Sequence, residues 1–169
     1  MSYEIYVPIN DFPDYSISNY GNVKSYKRYK KGKILKTSED RDGYLHVDLY
    51  NETGRKTKKI HQLLAEHFLK DWNPNKLVDH INGIKDDNRL RNLRMVTHSQ
   101  NSMNRKTHKN NTSGYKGVYW DKQNKKWRVQ INIDKYKKKT LGRFKNKEEA
   151  IKIRKDAELK HYGEYSNNR

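Results

Sequence analysis

The chain has 169 residues, only 32% of them hydrophobic, which is too little apolar material for one large core and points to two or three small modules. Its 38 Lys and Arg against 20 Asp and Glu leave a net charge of +18, so a polyanion, nucleic acid first, is the expected partner. With no Cys, a disulfide framework and a thiolate zinc centre are excluded, and any metal must be a hard ion held by oxygen or imidazole; with no apolar run of membrane-spanning length and no secretory leader at Met1–Asn10, a soluble intracellular protein with no membrane contact is expected.

Residues 1–50 read as short strands of a small antiparallel sheet. Tyr15 and Ile17 alternate before the turn Ser18-Asn19-Tyr20-Gly21-Asn22, and Leu45, Val47 and Leu49 alternate with Tyr44, His46 and Asp48. Between them Lys24, Lys27, Arg28, Lys30, Lys31, Lys33 and Lys36 form a basic run that either tracks a phosphate backbone or is a solvated loop; taken alone, it reads as a solvated loop. Ile60, Leu63, Leu64 and Phe68 recur at helical spacing until Asp71-Trp72-Asn73-Pro74 breaks the pattern. That helix carries His61, Glu66 and His67, but not in the zinc-protease order, and they are read as surface or packing residues.

The segment from Leu77 to Asn101 sets a carboxylate and an imidazole, Asp79 and His80, side by side at the end of a short apolar run. A polar loop rich in Asn, Asp and Gly follows, then the apolar stretch Leu93–Val96, then a helix starting near Thr97 or His98. Asn82-Gly83 and Asp86-Asp87-Asn88 are read as turn-builders. Residues 107–113 lack apolar side chains and read as a linker. Beyond it, Gly114–Trp120, Lys126–Ile131 and Leu141–Phe144 read as three strands. A helix begins after the N-cap Asn146, with Ala150, Ile153 and Ala157 on one apolar face and Gly163 at its end. In the middle strand Trp127, Val129, Ile131 and Ile133 alternate with Lys126, Arg128, Gln130 and Asn132, so one face is polar. Residues 111–169 carry 17 basic against 7 acidic side chains, a net +10, and residues 1–110 carry +8.

The string Val78-Asp79-His80-Ile81-Asn82-Gly83, with Asn92-Leu93-Arg94-Met95-Val96-Thr97, resembles the HNH (ββα-metal) motif of phage intron-encoded homing endonucleases. The motif positions are His80, Asn92 and Asn101. The resemblance implies a metal-dependent DNA endonuclease, most simply a monomeric nickase leaving 5′-phosphate and 3′-hydroxyl ends, of phage, viral or bacterial origin and acting in the host cytoplasm. Within it Asp79 and Asn101 would bind one Mg²⁺, with Mn²⁺ as a substitute and no small-molecule cofactor. His80 would deprotonate water, and Asn92 would fix the loop that aims His80. The opening string Phe12–Ser25 resembles the NUMOD4-like module often fused to such nucleases. Residues 114–165 resemble an AP2 DNA-binding domain, whose sheet lies in the major groove of double-stranded DNA. The matching positions are Lys116 and Tyr119 on the first strand, Arg128, Gln130 and Asn132 on the second, and Lys138 and Thr140 on the third. Plant members are richer in Arg at these places, and Lys, a point charge, reads a base less sharply than a bidentate Arg. The expected architecture is α+β: a NUMOD4-like module at 1–56, a ββα-metal unit at 57–106, a linker at 107–113, and a three-stranded antiparallel sheet packed on one helix at 114–165. The competing functions are a DNA-binding regulator with an inactive nuclease centre and an RNA-binding protein.

Overall fold

A computed structural model describes residues 3–104, 111–133 and 137–165, with the backbone alone for Met103, Asn104 and Glu164. It divides into two compact units, Met1–Val96 and Thr97–Arg169, each mixed α and β as expected.

In the first unit β1 (Tyr6–Ile9), β2 (Phe12–Ser18), β3 (Val23–Ser25) and β4 (Lys33–Ile34) form an antiparallel meander. A second meander follows, of β5 (Ser38–Glu39), β6 (Leu45–Asn51) and β7 (Gly54–Lys59). The single sheet expected over residues 1–50 is therefore two. The chain buries more by facing Ile17 of one sheet and Leu49 of the other into one core than by pairing their edges. Nor is the basic run a plain loop, since Lys24 lies in β3, with its ammonium 3.7 Å from the Tyr6 ring centroid, and Lys33 lies in β4.

Helix α1 (Ile60–Phe68) begins where β7 ends and lays Ile60, Leu63 and Leu64 into the same core. β8 (Leu77–His80) and β9 (Leu93–Val96) then make a two-stranded hairpin whose Leu93 completes it. The core runs from Ile9 to Leu93, so the segments before and after residue 56 share one interior.

The second unit opens with α2 (His98–Asn104). Its start is fixed by a reciprocal cap: Gln100 N–H donates to Thr97 Oγ1 at 3.2 Å, and Thr97 N–H donates to Gln100 Oε1 at 2.8 Å. Most of the expected linker, residues 107–110, lies outside the described residues. Asn111–Ser113 belong to the following turn, where Asn111 Oδ1 accepts from both Ser113 N–H and Gly114 N–H and Ser113 is buried.

β10 (Val118–Asp121), β11 (Lys126–Asn132) and β12 (Lys138–Phe144) form the expected antiparallel sheet, and α3 (Lys147–Tyr162) covers it with Val118, Val129 and Ala150 at the centre. Asn146 caps α3 by accepting from Glu149 N–H at 3.0 Å, and Gly163, at φ +52°, ends it. The most buried stripe of α3 is not the apolar set Ala150, Ile153 and Ala157 but Ala150, Arg154, Glu158 and Tyr162, four residues apart. Arg154 and Glu158 are admitted to the interior as a pair: Arg154 Nη1 lies 3.0 Å from Glu158 Oε1, off hydrogen-bond angle, and Tyr115 donates its hydroxyl to Glu158 Oε2 at 2.7 Å. Among the described residues no helix is long and apolar enough to cross a membrane.

Candidate active site and nucleic-acid interface

The β8–β9 hairpin carries most of the candidate chemistry. Its antiparallel register pairs Asp79 with Arg94 and His80 with Leu93. Strand alternation therefore puts Asp79 and Arg94 on one face and His80 and Leu93 on the other. Asp79 Oδ2 accepts from Arg94 Nε at 3.0 Å and lies 3.0 Å from Arg94 Nη2, and both side chains are largely shielded from water. Arg94 thus neutralises a carboxylate that would otherwise be buried as a bare charge.

On the opposite face the His80 ring is 4% exposed. Its Nε2 lies 3.0 Å from Asn88 Oδ1. With the amide oxygen accepting, the ring takes the Nε2–H tautomer, which carries its lone pair on Nδ1. Two further rings lie against it: His61 at 5.1 Å between centroids and 68° between planes, and Tyr44 at 6.0 Å and 38°.

The loop between the strands is closed by Asn92. Its Oδ1 accepts from Asn82 N–H at 2.9 Å, and its Nδ2 donates to Asn82 Oδ1 at 3.0 Å and to the Asp87 carbonyl at 2.7 Å. Asn92 C=O also accepts from Ile81 N–H at 2.8 Å. These bonds hold the residues after His80 against the start of β9. Asp87 is gripped through both carboxylate oxygens by Arg89, and Asn82 Nδ2 donates to it at 2.6 Å. The Arg89 hydrogen bond, foremost, keeps the Asp87 carboxyl ionised far below the usual carboxylate range.

Sequence reading missed two residues here. Asn88, taken for a turn-builder, is the residue bonded to His80; nothing distinguishes it locally from Asn82, because its contact spans eight positions. His61 is buried, and the one available signal was that it falls on the same helical face as Leu64 and Phe68. Glu66 and His67 instead bind Asn10, through its Nδ2 and its backbone N–H.

Asn101 lies in the second unit, in the first turn of α2, with its N–H donating to the Thr97 carbonyl. Among the described residues no three His, Asp or Glu side chains gather as a metal cage. Asp79 offers a carboxylate, the donor type that a hard divalent ion takes, and it is paired with Arg94.

In the second unit the polar face of the sheet is built by cross-strand pairs: Tyr119 opposite Arg128, Gln130 opposite Thr140, and Asn132 opposite Lys138. Gln130 Nε2 donates to Thr140 Oγ1 at 3.2 Å. Lys116 is not on the first strand, because the turn at Gly117 (φ +82°) delays its start to Val118; Lys116 Nζ donates to the Ser102 carbonyl at 2.5 Å. A register shift beside Gln130 sets Arg143 opposite Arg128, so Arg143 joins the polar face although simple alternation from Thr140 would not place it there. Arg143 pairs with Asp121 at 3.0 Å. At one end of this face a cleft of about 320 Å³ is lined by Lys116, Tyr119, Gln130, Asn132 and Lys138 together with Ser99.

Residues 4–50 match the NUMOD4 motif and residues 58–103 match the HNH endonuclease family. The chain is 40% identical over 96 residues to the DNA endonuclease I-HmuI of Bacillus phage SP01, covering 55% of this chain and 53% of that protein. It is 45% identical over 98 residues to an HNH endonuclease of Acanthamoeba polyphaga mimivirus, covering 56% of this chain and 24% of the relative. A solved structure, described as DNA binding and cleavage by the HNH homing endonuclease I-HmuI, aligns with a TM-score of 0.50 and 37% identity over 55% of this chain and 52% of that one. The chain thus spans about half or less of the length of these relatives. The segment that holds Asp79, His80, Asn88, Asn92 and Asn101 is the one the HNH endonuclease family matches.

Proposed function

We propose that the chain is a metal-dependent HNH endonuclease of the homing type that hydrolyses phosphodiester bonds in double-stranded DNA. The observation that carries this is the His80 ring, buried at the end of β8, held at Nε2 by Asn88 and set on a loop that Asn92 closes. A phosphodiester resists attack until a water is deprotonated in line with the departing oxygen, and a fixed imidazole suits that task. His80 would accept the water's proton. Asn92 keeps the ring aimed, and Asp79 and Asn101 would supply the protein oxygens to the metal. When bound, Mg²⁺, or Mn²⁺ in its place, supplies positive charge beside the scissile phosphate and the leaving 3′-oxygen. Arg94, the ion-pair partner of Asp79, would offer its guanidinium to the phosphate. The products are 5′-phosphate and 3′-hydroxyl ends. A single centre acting as a monomer cuts one strand per encounter.

DNA is held by the polar face of the C-terminal sheet, read as an AP2-like domain. Tyr119, Arg128, Gln130, Asn132, Lys138 and Thr140 meet the duplex, with Lys116 beside the cleft; the +10 carried by residues 111–169 supports this assignment. The N-terminal NUMOD4-like segment adds backbone contacts.

Incubation of supercoiled plasmid with the protein and Mg²⁺ is expected to give the open-circular form, and chelation to stop it. His80→Ala is expected to bind DNA with unchanged affinity and to nick at least about a hundredfold more slowly. Nicking by His80→Ala at the wild-type rate refutes the base assignment, and a wild-type protein that binds but never nicks leaves a DNA-binding regulator.

A further inference from the structure

On the polar face of the C-terminal sheet, the register shift between β11 and β12 creates a charge arrangement that the fold itself does not need. It sets Arg143 opposite Arg128, which has Tyr119 opposite it on the other side, so two guanidinium groups share one row across the three strands. Like charges paired across strands are destabilising. Among the described residues no carboxylate lies within ion-pair distance of Arg128, and its Nε is buried without a hydrogen-bond partner. Arg143 is held differently. β11 lies between β10 and β12, yet Arg143 Nε donates to Asp121 Oδ2 on β10 at 3.0 Å, so its side chain crosses the middle strand. Asp121 is fixed in turn by Asn124, whose N–H donates to Oδ1 at 3.1 Å and whose Nδ2 donates to Oδ2 at 2.9 Å. The Asn124 backbone bond, followed by Arg143, lowers the Asp121 pKa to about 2 and keeps it ionised. Only Nε of Arg143 is engaged; its two Nη groups make no bond among the described residues, and the side chain is 47% exposed.

Two guanidinium groups on neighbouring strands match a tetrahedral oxyanion, whose several acceptor oxygens can serve both planar forks at once. A base edge offers one bidentate partner and would leave the second cation unanswered. We propose that Arg128 and Arg143 together grip one backbone phosphate of the duplex, with Asp121 holding Arg143 across the middle strand for it, so that this row positions the DNA and reads no base. A phosphate between the two cations replaces their repulsion with attraction, and the DNA-free protein carries that cost. This deepens the DNA-binding reading of the sheet's polar face and rests on it.

The test compares Arg128→Gln, Arg143→Gln and the double variant in the full chain, with Lys152→Gln, an exposed position on α3, as the control for net charge. Dissociation constants are measured for two duplexes of unrelated sequence at several salt concentrations, and thermal midpoints without DNA. Each single variant is expected to bind about tenfold more weakly at low salt, the size of a lost charge-assisted bond. The loss is expected to be equal for both duplexes, since a phosphate contact carries no sequence. The double variant is expected to lose less than the product of the two single losses and to have a salt slope shallower by about 0.9, one phosphate's worth. Arg128→Gln is expected to keep or raise the thermal midpoint, because it removes a like-charge pair. A loss confined to one duplex overturns the proposal by assigning a guanidinium to a base edge. Multiplicative losses overturn it by giving each arginine its own contact, and Lys152→Gln as weak as Arg128→Gln overturns it by reducing the effect to bulk charge. Affinity that merely follows a falling midpoint marks the pair as structural and also defeats it. Inorganic phosphate separates this site from the DNA reading. A midpoint raised by phosphate more in the wild type than in the double variant supports the paired site even where no duplex binds, and equal rises in the two proteins count against it whatever the DNA affinity.

Discussion

Asn92 binds three groups with one amide: the backbone N–H of Asn82, the side chain of Asn82 and the carbonyl of Asp87. It is buried, so Asn92→Ala leaves these groups to find water or go unpaired. The expected cost is about 2 kcal/mol of stability, read as a lowered thermal midpoint, with nicking reduced more than DNA affinity. An unchanged midpoint would mean that the loop holds itself without Asn92. His61 makes a second prediction, on acid stability. Its folded pKa is lowered from 6.5 to about 3, so between these values the unfolded chain binds a proton that the folded chain does not. Stability contributed by the neutral ring is present above pH 6.5 and is lost as pH falls toward about 3. Calorimetry of the wild type and His61→Phe through this range is expected to give the flatter curve for His61→Phe, and identical slopes would contradict it. The strand–loop–strand–helix layout that carries Asp79, His80, Asn92 and Asn101 was legible because its strings sit in a recognisable pattern. Asn88 and His61 were not, because a hydrogen bond across eight residues and a ring contact between α1 and β8 leave no local mark.

At the scale of elements, α3 and the sheet beneath it depend on a close approach at Gly117. A Cβ there would stand 2.4 Å from both Arg154 Nε and the Gln130 carbonyl, and the backbone has φ +82°. The carbonyl belongs to β11 and cannot move without disturbing the sheet. Gly117→Ala is therefore expected to destabilise the C-terminal unit by about 2 kcal/mol or more, measured as earlier urea unfolding of the Trp120 and Trp127 fluorescence; a coincident curve would count against the packing. Elements with strong period were readable: α1, α3 and β11 fall where Leu64, Ala150 and Val129 place them. β7 was not, since Gly54–Lys59 is polar and basic throughout and becomes a strand only by pairing with β6. The register shift that turns Arg143 onto the polar face was equally silent, because alternation alone carries no sign of an extra residue.

For the whole molecule, the sequence segments and the packed units do not coincide. Phe12, Ile17 and Leu49 precede residue 56, whereas Leu63, Leu64 and Leu93 follow it, and all belong to one core. The charge, by contrast, is spread over the length of the chain, with +8 before Asn111 and +10 from there on. Removing everything after Asn110 should therefore leave the first core whole and take away the larger share of the charge. Each phosphate that the protein no longer neutralises lowers the slope of log affinity against log salt by about 0.9. If the polar sheet face meets the backbone through Arg128, Lys138 and Arg143, the truncated chain is expected to bind duplex DNA more weakly at low salt and with a slope shallower by about 2 to 3. Affinity should converge with that of the full chain as salt rises, since the missing term is the one that salt screens. Plasmid nicking at low salt should fall in step with binding, the centre on β8 being untouched by the cut. Titrations at four salt concentrations decide the matter: parallel lines for the two chains would show that the C-terminal sheet does not touch the DNA backbone, whatever its charge.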